Sequence, residues 1–119
     1  TAPTQRFADC PSSPNCLSSK ASDAGHQTQP FTLRKAEDWP CLVKSAEAMG
    51  NNRIAVNEPQ YVRLEYVSKL MGFVDDLELQ QEASLAHVRS ASRVGYSDWG
   101  VNRQRVEQLQ RSYNANCGK

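Results

Sequence analysis

The sequence predicts an α+β domain: a four-stranded antiparallel sheet flanked by an N-terminal and a C-terminal helix, with a Pro/Ser-rich N-terminal arm. Three observations predict it. Leu42, Val43, Ala46 and Met49 recur at the spacing of one helical face. Residues 61–70, 73–81 and 85–92 alternate apolar and polar positions, with only short turn-like links between them. Val106, Leu109 and Tyr113 then restore a helical stripe near the C-terminus. Consecutive strands with short links pair antiparallel, and the two amphipathic helices need a sheet face to cover.

The arm, residues 1–32, is read apart from the α+β domain of 33–119. It carries Pro3, Pro11, Pro14 and Pro30 and shows almost no apolar period. Pro11 and Pro14 forbid a helix through CPSSPNC and impose a turn-rich path. Lys35 to Met49 is the first helix, with Asp38 as its N-cap, Pro40 in its first turn and Gly50-Asn51-Asn52 as its stop. A short strand at Arg53–Asn57 turns at Glu58-Pro59. In the next strand Val62, Leu64 and Tyr66 share one face, and Arg63 and Glu65 take the other. Phe73, Asp75, Leu77 and Leu79 share a face of the third. Glu82-Ala83-Ser84 then turns into the last strand, Leu85–Ser92. The final helix starts near Asp98 or Asn102 and runs to Tyr113.

A chain of 119 residues supports a single modest core. Its net charge of +1 provides no field to gather nucleic acid, and no apolar stretch reaches the roughly 20 residues needed to span a bilayer. The arginines Arg103, Arg105 and Arg111, beside Glu107, read as a solvated helix face. The start at Thr1-Ala2-Pro3 reads as a mature product from which a targeting peptide has been removed.

Four cysteines in a small processed domain point to disulfides and an oxidising compartment. Three connectivities exist, and the pairing Cys10–Cys16 with Cys41–Cys117 is favoured. The rival, a metal site from Cys10, Cys16 and His26, lacks both a fourth ligand and the tight cysteine spacing of zinc sites. No cofactor-binding loop is legible.

The candidate site is the polar run VRSASRVGYSDWGVNR at 88–103 together with Asp75 and Asp76. Period two turns Asp75 inward with the apolar residues and Asp76 outward. A buried carboxylate needs donors, and the neighbouring strand offers Ser90 and Ser92 on one face and Arg89 and Arg93 on the other. The expected arrangement is a clasp. Asp75 accepts from serine hydroxyls or backbone N–H groups, and Asp76 pairs with Arg89 or Arg93. Gly95 turns the chain, Asp98 or Asn102 caps the last helix, and Arg103 reaches back to a carboxylate. The same groups also suit a small-ligand or anion site, or an acid–base pair. Adjacent strand positions face opposite ways, which argues against a two-carboxylate mechanism. Odd and even positions likewise separate His87 from both serines, which argues against a triad. Trp39 and Trp99 stand beside the two helix starts, as closures of the core or as docking aromatics.

CPSSPNCLSS at 10–19, FVDD at 73–76 and VRSASRVGYSDWGVNRQRV at 88–106 together resemble the family known as domain of unknown function 1499. The resemblance runs over nearly the whole chain. It marks Cys10, Pro11, Pro14, Asn15, Cys16, Asp75, Asp76, Arg89, Ser90, Ser92, Arg93, Gly95, Asp98, Asn102 and Arg103 as the family's characteristic positions, and it brings no established activity. Cys41 and Cys117 depart from that pattern and imply a second, lineage-specific bridge. The resemblance to plastid-type members implies a thylakoid-lumen location, with a bacterial periplasm as the alternative. The expected function is a non-enzymatic accessory domain whose partner is a protein in a membrane-associated complex such as a photosystem.

Overall fold

The structure, a computed structural model, describes residues 7–11, 13, 15–67, 72–93 and 100–117. Gly95, Asp98 and Trp99 lie outside the described residues, as does Pro14. Within them the elements are β1 (Cys16–Ser18), β2 (Phe31–Thr32), α1 (Trp39–Glu47), β3 (Asn52–Glu58), β4 (Tyr61–Val67), β5 (Val74–Glu82), β6 (Leu85–Ser92) and α2 (Val101–Asn116). A single 3-10 turn, Ala36–Asp38, leads into α1.

The α+β class, the antiparallel sheet and the two helices stand, but the sheet has six strands and not four. Its order is β1–β6–β5–β4–β3, and β2 also pairs with β6. The two additional strands come from the segment that reads in sequence as a Pro/Ser-rich arm. β1 sets Leu17 opposite Ser90, and β2 sets Phe31 opposite Ala86. Strands of three and two residues are too short to show a period of two, so only their tertiary pairing defines them.

Register fixes which side chains meet. β4 and β5 align Leu64 with Leu77 and Val62 with Leu79, and β5 and β6 align Leu79 with Val88. These residues, with Leu42 and Ala46 of α1 and Val106, Leu109 and Tyr113 of α2, form the buried core. Both helices therefore cover one face of the sheet. Complete burial of Leu42, Leu64, Leu77, Leu79 and Leu109 stabilises the fold by about 1.5–3 kcal/mol per side chain. Trp39 is 7% exposed and belongs to that core, which corrects its reading as a docking aromatic.

The helix boundaries follow local chemistry. Asp38 precedes α1 but makes no side-chain cap; its carboxylate accepts from the Tyr113 hydroxyl at 3.0 Å. That hydroxyl in turn accepts from the Arg34 N–H at 3.0 Å, tying the entrance of α1 to the end of α2. Gly50 and Asn51 both adopt positive φ after α1, the left-handed conformation in which a helix ends. α2 begins after Gly100, whose φ is +80°, and no side chain caps it. Asn102 is thus not a cap: it lies inside the first turn and points at the sheet.

Both disulfides adopt the favoured pairing. Cys10 is bonded to Cys16, closing the turn that delivers β1, and Cys41 is bonded to Cys117, joining α1 to the end of α2. With Cys10 and Cys16 bonded to each other, neither offers a thiolate to a metal.

Candidate functional site

Two polar lattices lie back to back on β4, β5 and β6. On the helix-covered face, Asn102 is 1% exposed and Ser90 is fully buried. The Ser90 hydroxyl donates to Asn102 Oδ1 at 2.5 Å, and Arg105 Nη1 donates to the same oxygen at 2.8 Å. Asn102 Nδ2 donates to Ser92 Oγ at 3.0 Å and to the Asn15 carbonyl at 3.2 Å. Asn102 therefore ties α2 to β6 and to the disulfide-closed turn ahead of β1. A buried amide is tolerable only because its oxygen and both its protons find partners.

Asp75 faces this side of the sheet, but its partner is not a serine. Its Oδ2 accepts from Arg105 Nη2 at 2.8 Å, and the two side chains are 14% and 13% exposed. The Arg105 guanidinium also lies over the Tyr66 ring, 4.8 Å from its centroid, a favourable cation–π position. Serine hydroxyls reach Asn102 instead, because the arginine provides a charge-assisted donor to the carboxylate. Reading Arg105 as a member of a solvated helix face is thus corrected. Residue spacing held the signal: Asn102, Arg105 and Leu109 follow a 3–4 repeat along the buried stripe. Substituting Asp75→Ala leaves the Arg105 guanidinium without its counter-charge, at an expected cost of about 3 kcal/mol. Urea denaturation at neutral pH measures it; a loss below about 0.5 kcal/mol would mean that the pair contributes no more than a surface ion pair.

On the opposite face, Asp76 pairs with two arginines. Arg93 donates to it from Nε at 2.8 Å and from Nη2 at 2.9 Å, and Arg63 Nη1 donates at 3.0 Å. Glu65, 8% exposed, accepts from Arg53, Arg63 and Arg93 at 2.8, 3.0 and 2.6 Å. Arg93 and its fellow arginines hold the Glu65 carboxyl down at about 2. Burial pushes Asp76 upward, but hydrogen bonds from Arg93 and Arg63 outweigh it and lower its pKa. Arg89 belongs to a neighbouring set. It donates to Glu78 at 3.3 Å and to the Ala8 carbonyl at 2.9 Å, and Glu78 also accepts from the Tyr61 hydroxyl at 2.6 Å. Glu65, Glu78, Arg53, Arg63 and Tyr61 were not among the site residues read from sequence, although the alternation of β4 already put Arg63 and Glu65 on this face.

Arg103 does not reach a carboxylate. Its guanidinium lies 3.4 Å from the Gln27 carbonyl, on the far side of α2 from the Asp75–Arg105 pair. His26 bridges two acceptors, Asp23 Oδ2 at 2.5 Å and the Ser13 carbonyl at 2.9 Å. Both ring nitrogens donate only in the imidazolium form, and accordingly the Ser13 carbonyl, then Asp23, raise its pKa. Burial lowers the pKa of His87, with Lys20 adding to the effect.

These shifts separate by pH. The His26 contribution is fully present below its unfolded value of about 6.5 and is lost as pH rises through the raised folded value. His87 acts in the other direction, losing stability as pH falls below about 6.5 toward its depressed folded value. Glu65 adds a loss in acid, from its usual range down to about 2. Thermal midpoints measured against pH for the native chain and for His26→Gln test this order. The decline that sets in as pH rises past about 6.5 disappears in the variant; an unchanged decline would assign it to another group.

Fold and lattices together define a small α+β domain, doubly disulfide-bridged, whose sheet face away from α1 and α2 is a net of arginines and carboxylates. The chain belongs to the family of proteins of unknown function DUF1499, whose model matches residues 6–112. No curated protein and no solved structure matches it. No helix among the described residues is long and apolar enough to cross a membrane.

Proposed function

We propose that this domain is a non-enzymatic accessory module that works outside the cytoplasm and docks on a membrane-associated protein complex. In a plastid its place is the thylakoid lumen, on a photosystem or a related assembly; the periplasm is the bacterial counterpart. One observation carries the reading. Asp75, Asp76, Arg89, Ser90, Ser92, Arg93 and Asn102 are all bonded within the domain. Charges and hydroxyls neutralised in this way brace a rigid frame; the Ser19 hydroxyl, 3.0 Å from His87 Nδ1, is likewise held by the Val88 N–H, which donates to it at 2.9 Å. Two disulfides suit an oxidising compartment and weakly support the location. Purification of the tagged chain from native membranes in mild detergent, followed by native electrophoresis, tests the proposal. Migration with a membrane complex is the expected result, and a chain recovered only as a free monomer would refute it.

A second reading rests on Arg53 and Arg93, 76% and 44% exposed, which converge on Glu65 on the sheet face away from α1 and α2. Their outward donors suit a small anion. Thermal-shift measurements with phosphate, sulfate and oxalate, repeated on Arg93→Ala, decide it: stabilisation of the native chain alone favours the anion.

A further inference from the structure

The sheet end where β4 finishes and β5 begins opens into a cleft of about 280 Å³. Met49, Tyr66 and Val67 line one side, Val101 and Gln104 of α2 line the other, and Asp75 and Arg105 form its charged part. Three of the four large apolar side chains exposed among the described residues gather at this end: Val67 at 43%, Val101 at 42% and Phe73 at 49%. Val67 pairs with Val74 across the sheet, which places Phe73 beside the same rim.

The polarity of the cleft is specific. Arg105 is committed to Asp75, Asn102 and Ser90, at 2.8, 2.8 and 3.3 Å, so its guanidinium is spent within the domain. Asp75 is held through Oδ2 alone; among the described residues its Oδ1 has no hydrogen-bond partner. A carboxylate oxygen accepts hydrogen bonds and cannot donate them. The charged residues of the lining are Asp75 and Arg105, and with Arg105 committed within the domain the acceptor left over is Asp75 Oδ1. A cation on an alkyl stem complements both features, the stem against valines and the head on the carboxylate.

We propose that this cleft receives the lysine side chain of a partner protein, its stem between Val67 and Val101 and its ammonium group on Asp75 Oδ1. This rests on the reading of the domain as an interaction module, and it names the chemistry of the partner. The expected selectivity is for lysine over norleucine, which lacks the charge, and over glutamate, which reverses it.

NMR titration of the intact, oxidised chain with Nα-acetyl-lysine methylamide tests this, with the norleucine and glutamate analogues alongside. The amides of Tyr66, Val67 and Val101 shift with the lysine probe, and the analogues bind at least about tenfold more weakly. Gln104→Lys puts a competing cation on the cleft wall at an exposed position and abolishes the shifts while the remaining spectrum is retained. Asp75→Asn weakens binding by about tenfold or more. Equal response to norleucine, or binding unaffected by Gln104→Lys, would overturn the proposal. Free n-butylammonium binding as tightly as the lysine probe, with no protein recovered from native membranes, would overturn the partner as the source. A membrane complex that co-purifies equally with the native chain and with Gln104→Lys would refute the cleft and leave the accessory function standing.

Discussion

Asn102→Leu is expected to destabilise the domain by about 4 kcal/mol, within the range for breaking a buried, charge-linked hydrogen-bond network. Leucine keeps the number and branching of the side-chain heavy atoms and leaves no cavity, so the loss comes from the polar groups stranded around it. The substitution strips Ser90 Oγ and Arg105 Nη1 of a shared acceptor, and Ser92 Oγ and the Asn15 carbonyl of a shared donor. Ser90 is fully buried, so water cannot replace the lost partner without opening the interface between α2 and β6. Chemical denaturation with both disulfides intact measures the difference. Gln108→Ala, an exposed position on the same helix, serves as control and stays within about 0.5 kcal/mol. A loss under about 1 kcal/mol for Asn102→Leu would mean that the lattice relaxes without cost.

Removing the Cys41–Cys117 bridge by double substitution to serine is expected to cost about 4 kcal/mol. Its two cysteines are 76 residues apart, so the bridge closes a loop that spans α1, the four long strands and α2. Cys10 and Cys16 are only 6 apart, and on the same chain-entropy argument their removal costs about 2 kcal/mol. The long bridge also stands where packing is dense: Cys117 is 4% exposed, with Ser45 Oγ at 3.5 Å from its sulfur. Thermal and urea unfolding of the two double variants rank them. If loss of the short bridge proved the more damaging, the long-loop account would be wrong.

Much of this fold is legible residue by residue because local periodicity reports burial. The alternation of β4 puts Val62 and Leu64 on the core side, and register with Leu79 and Leu77 bears this out. The stripe Val106, Leu109, Tyr113 is the buried face of α2. Legibility falls where a segment is too short or an interaction too distant. β1 and β2 have no pattern of their own and become strands only because β6 offers them an edge. Arg105 resembles Arg103 and Arg111 in sequence, yet a rotation of a few residues around α2 separates a buried ion pair from a contact with the Gln27 carbonyl. Glu65 gathers three arginines from β3, β4 and the end of β6, a convergence that no single stretch contains.

What the sequence determined by itself was the α+β class, the inward face of Asp75 and the outward face of Asp76, since a strand's side-chain direction depends only on residue parity. Tertiary structure decided who answers each charge. Partner choice depends on which elements lie side by side, and a carboxylate leaving water takes the strongest donor that packing brings to it, Arg105 inside and Arg93 with Arg63 outside.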